Sequence, residues 1–391
     1  MRRLSRLAGL LAALMLLAGC QREPTLWQQE SYVFGTRVQI TTADVPENVA
    51  RPAVAAALAD LDRWHVRLHA WRDDSELTRI NRALAAGQPA DTDSEVLGLL
   101  RQAQDISARA EGLFNPAIGQ LVALWGFHAD SFAPVRPEPG ALARLLASAP
   151  SMADVQFDGQ RVSSRNRAVS FDLGGMAKGW ALDRVADRLR QAGVKSALIN
   201  IGGNILALGS KGDTPWKVGL QAPRDNQAMA VIVLHDGEAL GTSGDYQRYF
   251  ELDGVRYCHL IDPRNGSAAC QRQAATVLVE PGPDAGLRSD VASKPLFFAP
   301  RADIARLAGR FAIRDVLLVE ADGHTWLSPA MQPRVQWLQR PQQVDVLTGF
   351  GAHLSAAHKT PWRCCVTLPY LCTVCAHTPS QVRCAECWAQ R

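Results

Sequence analysis

Residues 169–179 place a strand-like stretch, a glycine pair, a lysine and a helix start in immediate succession. The stretch is apolar and β-prone, with Asp172 as its one acid, and Lys178 comes just before a segment with helical character over residues 180–192. This order brings backbone N–H groups, a carboxylate and an ammonium together at a helix start, which suits a phosphate group. A plain strand–turn–helix junction is the alternative, and the run alone does not decide between them.

The N-terminus has the features of an export signal. Arginines precede an apolar stretch over residues 7–18, which is too short for a comfortable membrane span and has the length of a signal-peptide core. The stretch ends in Leu-Ala-Gly-Cys20, which resembles a bacterial lipobox, so residues 1–19 are predicted to be a lipoprotein signal peptide and Cys20 the lipidated residue. A cleaved signal with an incidental cysteine is the alternative. Gln21 stands where an inner-membrane retention aspartate would be, so we expect a periplasmic, lipid-anchored protein, with the outer membrane favoured.

Length and charge narrow the possible functions. Residues 20–26 are predicted to be a tether and residues 27–345 the folded region, whose roughly 320 residues can bury a large core in one or two domains. The formal net charge is +4, and part of it lies in the removable signal. No long basic stripe with interleaved aromatic residues is evident, so the composition does not indicate nucleic-acid binding.

Hydrophobic periodicity predicts a mixed α+β fold, with mixed sheets covered by helices. Residues 32–41 alternate and are rich in β-branched side chains, which predicts one strand. Residues 47–68 have helical periodicity, and a short helix is predicted over residues 286–294, stopped by Pro295. Further helices are predicted at 95–110, the end of 113–125, 140–148, 180–192 and 301–309, and further strands at 155–157, 161–163, 196–201, 205–208, 216–221, 229–234, 238–242, 249–252, 255–260, 274–279 and 315–320.

Four polar runs rich in Gly, Asn, Asp, Ser and His fall at or near the ends of these predicted elements. Each has a purely structural interpretation. Residues 262–266 suit a β-turn, Asp290 suits the N-terminal turn of a helix, and His259 alone would be a satisfied core or surface histidine. The runs are 200–204, 242–246, 259–266 and 289–294.

Eight short runs of the chain, taken together and in order, resemble the FAD:protein FMN transferase family, formerly described as thiamine biosynthesis lipoprotein ApbE. The resemblance implies an ApbE-like α+β fold with an FAD cleft between two subdomains. It covers most of the predicted folded region, and the order of the motifs carries more weight than any one of them. The matching runs are 34–36, 74–81, 114–119, 124–127, 169–179, 200–204, 242–246 and 259–266.

The resemblance implies Mg²⁺-dependent transfer of FMN from FAD to a threonine or serine hydroxyl of a target flavoprotein, with release of AMP. The nucleophile must approach an anionic pyrophosphate, and a divalent cation would neutralise the developing charge. The implied partners are flavoprotein subunits of membrane redox complexes. Two alternatives remain: hydrolysis of FAD to free FMN and AMP at the same site, and a periplasmic flavin-binding lipoprotein without transfer activity.

The resemblance also implies a magnesium site, with Asp290 as the carboxylate ligand and the Gly175 carbonyl as a backbone ligand. The family usually has a threonine hydroxyl four residues after that aspartate, and this chain has Lys294 there. An ammonium cannot ligate Mg²⁺. Either the neighbouring Ser293 hydroxyl or a water substitutes, or Lys294 itself meets the phosphate as a point charge.

The positions that match the family's FAD contacts combine aromatic, apolar and charged side chains. Trp71 offers a flat ring for stacking on isoalloxazine or adenine. Lys178 would meet phosphate, and Asp172 would accept hydrogen bonds from ribose or amine groups. Asn115 stands where the family often has aspartate, so an acceptor is kept and a charge is lost. The predicted contacts are Phe34, Trp71, Leu113, Phe114, Asn115, Asp172, Lys178 and Ile261.

Two residues are candidates for the general base that takes the proton of the incoming hydroxyl. His259 is the first, because the ordinary histidine pKa of about 6.5 suits proton transfer near neutral pH. Asp245 is the second, and it would either orient the imidazole or act as the base itself.

Residues 346–391 do not fit the family pattern. Six of the nine cysteines lie between Cys364 and Cys387. Two C-x-x-C pairs have zinc-like spacing, but disulfides compete in an oxidising compartment. The interpretations left open are a zinc or disulfide knuckle, a disordered tail and a reading-frame artefact. Cys258 and Cys270 are near each other in the sequence, which does not show whether they pair.

Overall fold

The computed structural model describes residues 23–129, 134–268 and 270–351, which form 17 strands and eight α-helices. The strands are β1 (Leu26–Val33), β2 (Thr36–Ala43), β3 (Ala90–Asp91), β4 (Val155–Asp158), β5 (Arg161–Ser164), β6 (Ala197–Ile201), β7 (Asn204–Leu208), β8 (Trp216–Gln221), β9 (Ala228–Leu234), β10 (Ala239–Gly244), β11 (Tyr249–Leu252), β12 (Val255–Cys258), β13 (Arg272–Val279), β14 (Asp315–Glu320), β15 (Thr325–Leu327), β16 (Val335–Trp337) and β17 (Val344–Val346). The helices are α1 (Glu47–Leu68), α2 (Glu76–Ala85), α3 (Ser94–Arg109), α4 (Gly119–Leu124), α5 (Pro139–Ser148), α6 (Ala177–Gln191), α7 (Ala285–Phe298) and α8 (Ile304–Arg310). The predicted α+β class is confirmed.

The main sheet has nine strands in the order β1-β2-β6-β7-β10-β13-β14-β15-β17. Neighbouring strands are antiparallel except for β15 and β17, which are parallel. Smaller sheets have the orders β16-β9-β8, β3-β5-β4 and β11-β12. Because β1–β2 and β6–β7 are hairpins, their turns lie at the same end of the main sheet, beside the last residues of β10.

Both faces of the main sheet are covered. Strand β7 shows this directly, because all five of its residues are buried and successive side chains point to opposite faces. Leu206 and Leu208 pack in a core with residues of α1, α6 and α7, whereas Ile205 and Ala207 pack in a second core with residues of β8 and β9. The sheet is therefore the middle layer between helices and a small antiparallel sheet.

The first hairpin differs from the single strand predicted over residues 32–41. The chain turns at Phe34 and Gly35, which have φ values of 56° and 66°, and the register pairs Val33 with Thr36. Positive φ at both central residues is the geometry of a tight hairpin turn whose twist matches the strands. The alternating pattern was therefore correct, but it spans two strands, and Phe34 holds a backbone conformation that is unusual for a bulky residue.

Helix α7 runs through the centre of the fold, with twelve of its fourteen residues buried. The prediction that Pro295 stops this helix is wrong, since the helix continues to Phe298. The buried Arg272 guanidinium donates to the carbonyls of Leu296, Phe297 and Ala299, and it forms an ion pair with Glu320. These bonds satisfy backbone acceptors that the last turn leaves without helical partners.

Helices α6 and α7 cross at two glycines. A Cβ at Gly179 would lie 2.5 Å from the Cβ of Asp290 and closer still to the carbonyl oxygen of Gly286. Asp183 of α6 accepts hydrogen bonds from the backbone N–H groups of Gly286 and Leu287, at 2.7 and 2.8 Å. Burial raises the pKa of Asp183 to about 7, although these two hydrogen bonds favour the carboxylate. The close packing at Gly179 and the hydrogen bonds of Asp183 together fix α7 against α6.

Several predicted elements agree closely with the structure. The predicted helix at 47–68 and the predicted strands at 216–221 and 315–320 match α1, β8 and β14. None of the described helices is both long enough and apolar enough to cross a bilayer. The predicted signal peptide, the lipidation site Cys20 and the cysteine-rich pairs of the tail lie outside the described residues.

Candidate active site

A cavity of about 360 Å³ opens at the end of the main sheet where the β1–β2 turn, the β6–β7 turn and the last residues of β10 meet. Its remaining walls come from the end of α1, the start of α6, the middle of α7 and the segment after β12. Turns and helix ends present backbone groups and side chains that the sheet and helices do not use, so this is a place where a ligand can be bound.

The residues predicted to contact FAD converge on this cavity. All eight of them line it: Phe34, Trp71, Leu113, Phe114, Asn115, Asp172, Lys178 and Ile261. Four other predicted residues line it as well: His259, Gly175, Asp290 and Lys294. Asp245 and Ser293 are not part of its lining. Aromatic side chains and two ammonium groups therefore share one cavity, which can accommodate a flat ring system joined to phosphates.

The 169–179 run forms one wall, although its first part is not a regular strand and makes only an isolated bridge at Ser170. Asp172 Oδ1 accepts a hydrogen bond from the Gly174 N–H at 2.8 Å. Lys178 Nζ donates to the Gly174 carbonyl at 3.0 Å, and α6 begins one residue earlier at Ala177. The predicted helix start, carboxylate and ammonium are thus brought together in the wall of the cavity.

Asn81, which lies 90 residues before Phe171 in the chain, holds this wall in position. Its side-chain oxygen accepts from the Phe171 N–H at 2.7 Å, and its side-chain nitrogen donates to the Phe171 carbonyl at 2.9 Å. The amide therefore acts as a substitute strand partner for Phe171, directly before Asp172. The sequence analysis included Asn81 in a motif but assigned it no role.

Asp290 lies in the cavity wall with both carboxylate oxygens engaged. Oδ2 accepts from the Gly179 N–H at 2.9 Å, and Oδ1 accepts from Lys294 Nζ at 2.6 Å. Lys294 Nζ also donates to the main-chain carbonyl of Asp290 at 2.6 Å. Burial opposes ionisation of Asp290, but the ammonium groups of Lys178 and Lys294 outweigh it and hold the pKa of the carboxyl below its usual range.

The residues around Asp290 do not fit the magnesium site that the resemblance implies. The Ser293 hydroxyl, the possible substitute ligand, is fully buried outside the cavity lining and bonds to the Ser243 hydroxyl and the Asp290 carbonyl. Within the described ranges, no cluster of three or more His, Cys, Asp or Glu side chains could hold a metal ion, but the implied site has one carboxylate and one carbonyl and would not form such a cluster. Of the three alternatives, substitution by the Ser293 hydroxyl is not favoured, because that hydroxyl bonds elsewhere, and Lys294 Nζ bonds to Oδ1 of Asp290.

His259 lines the cavity directly after β12. Its Nδ1 lies 3.2 Å from the Arg248 carbonyl oxygen. A carbonyl can only accept, so in the neutral ring Nδ1 carries the proton and Nε2 keeps the basic lone pair. Burial and the positive charges of Arg248 and Lys178 lower the pKa of His259 to about 3. The imidazole is therefore a neutral base at physiological pH.

This lowered pKa predicts an unusual pH profile. For the free enzyme, kcat/KM should stay constant below pH 6.5 as the pH falls, because His259, with a pKa of about 3, remains unprotonated. Anionic phosphates of a bound ligand would favour the imidazolium, so the acid limb of kcat should lie at higher pH than that of kcat/KM. Steady-state rates across the pH range test both limbs. An acid limb of kcat/KM near the ordinary histidine pKa of about 6.5 would contradict the prediction.

Asp245 is paired with an arginine in this arrangement, and its catalytic role stays a prediction. Its buried carboxylate forms a two-pronged ion pair with Arg224, with both N–O distances at 2.7 Å, and Arg256 lies 4.0 Å away. The imidazole of His259 instead bonds to Arg248. Asp245 therefore fixes the chain after β10 and neither orients the ring nor faces the cavity.

Three other predicted contacts have specific surroundings. Asn115 accepts from the Ala117 N–H within its own loop and donates to the Pro150 carbonyl of the loop after α5. The Trp71 ring packs against the His128 ring at 5.5 Å. Phe34 packs edge-to-face against the His65 ring at 5.7 Å. Asn115 thus shapes the cavity, and the two aromatic rings are held in position by histidines.

The cavity also contains residues to which the sequence analysis assigned no role. His65, His69 and His128 line it, as does Asn204 at the start of β7. The Asn204 side chain is only 2% exposed, and its Oδ1 has no hydrogen-bond partner within the described part of the chain. A buried amide oxygen without a hydrogen bond lowers the stability of the fold, so this atom is suited to accept a hydrogen bond from a ligand. Only the burial and pairing seen in the fold could identify it.

Cys258 and Cys270 form a disulfide that closes the segment carrying His259 and Ile261. The Asp262–Arg264 ion pair, at 2.6 Å, lies within the same loop. The pairing that the sequence left open is thus shown, and it restrains the part of the cavity wall that bears the candidate base.

Replacing both Cys258 and Cys270 with serine should lower the free energy of unfolding by about 3 kcal/mol, the loop-entropy value for a bridge of this length. It should also weaken FAD binding, because the His259 loop gains conformations in the free protein. Urea unfolding and flavin fluorescence titration measure the two effects. Treating the double variant with reductant provides the control, since it should cause no further change at this loop. Equal stability of the variant and the oxidised parent would contradict the prediction.

Known proteins resemble this chain in sequence and in fold. The sequence pattern of the ApbE family matches residues 34–317. A protein of Rhodobacter capsulatus named FAD:protein FMN transferase is 40% identical over 330 residues, which are 83% of this chain and 62% of that relative. A Vibrio cholerae protein of the same name is 30% identical over 274 residues, which are 69% of this chain and 81% of the relative. The chain thus spans less than two thirds of the Rhodobacter protein.

Solved structures show the same fold. The crystal structure of the ApbE protein of Thermotoga maritima superposes with a TM-score of 0.71 at 27% identity, covering 79% of this chain and 99% of that one. The apo flavinyl transferase ApbE of Pseudomonas stutzeri gives a TM-score of 0.68 at 28% identity, covering 81% and 98%.

Proposed function

The chain belongs to the ApbE family, and from this we propose that it is an FAD:protein FMN transferase. In the proposed reaction, FMN moves from FAD to a threonine or serine hydroxyl of a target flavoprotein, and AMP is released. The observation that carries the proposal is the convergence of all eight predicted FAD contacts and His259 on one cavity. The names of the relatives support the same activity.

The cavity residues account for the chemistry of this transfer. The acceptor oxygen forms a bond to the phosphorus of the FMN unit, and the bond from that phosphorus to the bridging oxygen breaks, so AMP leaves with the electron pair. His259 Nε2 takes the hydroxyl proton, because Nδ1 is directed at the Arg248 carbonyl. Lys178 lies where it can neutralise phosphate charge, and the aromatic residues Phe34 and Trp71 can hold the ring systems.

The Mg²⁺ requirement implied by the resemblance remains a prediction, and the residues around Asp290 do not favour it. The expected partners also remain proposals. We propose flavoprotein subunits of membrane redox complexes as targets and a periplasmic location through a lipid on Cys20. Fractionation of cells that express a Cys20→Ser variant tests the location. The variant should leave the membrane fraction, and its retention there would rule out the lipid anchor.

The activity is tested by incubating the protein with FAD and a target domain that carries an acceptor threonine. Flavin fluorescence on the target in a denaturing gel, with an equal amount of AMP, is expected for transfer. A matched target with alanine in place of the threonine should stay unlabelled. AMP without labelled target would indicate hydrolysis of FAD instead, and bound FAD without either product would overturn both enzyme functions.

A further inference from the structure

We propose that the Lys294 ammonium is the resident cation of this active site and that it binds the FAD pyrophosphate together with Lys178, so that transfer does not depend on Mg²⁺. This inference rests on the proposed function and concerns how this chain performs it. Lys294 makes or breaks no covalent bond. It supplies positive charge where the phosphates lie, as a divalent cation would.

The hydrogen bonding of the Lys294 ammonium leaves one donor for a ligand. Lys294 is 9% exposed and lines the cavity. Two of its three N–H groups donate to Asp290, one to the carboxylate and one to the main-chain carbonyl, both at 2.6 Å. The third N–H has no partner within the described residues, and a phosphate oxygen in the cavity is the acceptor that fits an ammonium.

The second argument is that the ammonium competes directly with a metal ion. Each carboxylate oxygen of Asp290 already accepts one hydrogen bond, Oδ2 from the Gly179 N–H and Oδ1 from Lys294 Nζ, so an ion bound at Oδ1 would lie beside the ammonium. The lysine stem lies beside Gly175, where a Cβ would be only 3.2 Å from Lys294 Cε. Gly175 is the residue whose carbonyl was expected to complete the metal site. The side chain of Lys294 thus contacts Asp290 through its ammonium and lies close to Gly175 through its stem.

The third argument is the charge of the surroundings. Lys178 lies in the same wall, and both ammonium groups act on Asp290 strongly enough to offset its burial. Adding a divalent cation beside two ammonium groups would bring like charges together in a partly buried site. The pyrophosphate dianion, by contrast, would meet two ammonium groups and the one carboxylate of Asp290, so these three side chains attract it with a net charge of +1.

The test compares Lys294→Met and Lys294→Thr with the parent protein. The exposed Lys217→Met variant on β8 is the control for loss of a lysine. All proteins are treated with EDTA and titrated with MgCl₂, and binding of FAD and of riboflavin, which lacks phosphate, is followed by fluorescence. The parent should bind FAD equally well with and without Mg²⁺. Lys294→Met should lose about 10- to 100-fold in FAD affinity but none in riboflavin affinity, as expected for one charge-assisted hydrogen bond.

Transfer to the acceptor domain gives the second readout. The parent should label the target in EDTA at an unchanged rate, whereas Lys294→Thr should require added Mg²⁺, which also shows that the variant is folded. A parent protein that labels its target only with Mg²⁺ would overturn the proposal and leave the transferase function intact. If no protein labels the target, the transferase function fails, and binding decides the role of Lys294. An unchanged ratio of FAD to riboflavin affinity in Lys294→Met would overturn the proposed role of Lys294.

Discussion

Replacing His259 with glutamine should reduce the rate of FMN transfer by about 10²- to 10⁴-fold, the usual effect of losing a general base. Glutamine can still donate to the Arg248 carbonyl, so the loop should keep its position, but it cannot take the proton of the acceptor hydroxyl. FAD binding should therefore change little. Single-turnover labelling of the target measures the rate, and fluorescence titration measures the affinity.

The control for this variant is His235→Gln, at an exposed position directly after β9. It should leave both rate and affinity unchanged. A His259→Gln enzyme that keeps more than a tenth of the parent rate would show that another group accepts the proton.

Replacing Gly179 with alanine should lower the free energy of unfolding by about 3 kcal/mol or more, the upper part of the range for overpacked sites. The new methyl group would overlap the Gly286 carbonyl and the Asp290 side chain, which are backbone and buried atoms that cannot move aside. Helices α6 and α7 would separate, and FAD binding should be lost along with stability. Urea unfolding followed by circular dichroism provides the measurement.

Gly98→Ala is the matched control, because Gly98 lies within α3 and a Cβ there would have no neighbour within 4 Å. This variant should raise the free energy of unfolding by about 0.5–1 kcal/mol, since alanine favours a helix over glycine. Similar effects at the two glycines would show that helix propensity, and not the helix crossing, determines the result.

Periodicity in the sequence was sufficient to predict much of the framework. Strand β8 was predicted with the correct bounds because its buried and exposed residues alternate, and β14 because it is a short, continuous buried run. The hairpin at Phe34 was missed because its turn consists of two residues and leaves the alternating pattern almost unbroken. The end of α7 was missed because Pro295 ordinarily stops a helix, and the Arg272 guanidinium that supports the last turn comes from β13, outside the helix itself.

The site was predictable where it depended on residues within one run, as for Asp172 and Lys178. Partners distant in the chain were not. The contact of Asn81 with Phe171 and that of Asp290 with Gly179 join residues 90 and 111 positions apart, and local patterns contain no information on such pairs. Asp245 illustrates the same limit, since only the fold shows that Arg224 engages its carboxylate. The ion pair between Lys294 and Asp290 could likewise be recognised only from the structure of α7.

The burial of α7 affects how the binding of FAD should depend on salt concentration. Mobile ions screen exposed charges over a Debye length of about 8 Å at physiological ionic strength, but they screen buried pairs much less. Lys294 and Asp290 lie on the buried helix, whereas Lys178 is only partly buried. The attraction between FAD and this wall should therefore consist of a part that weakens with added salt, through Lys178, and a part that persists, through Lys294. Added salt should therefore weaken the binding of FAD at this wall without abolishing it.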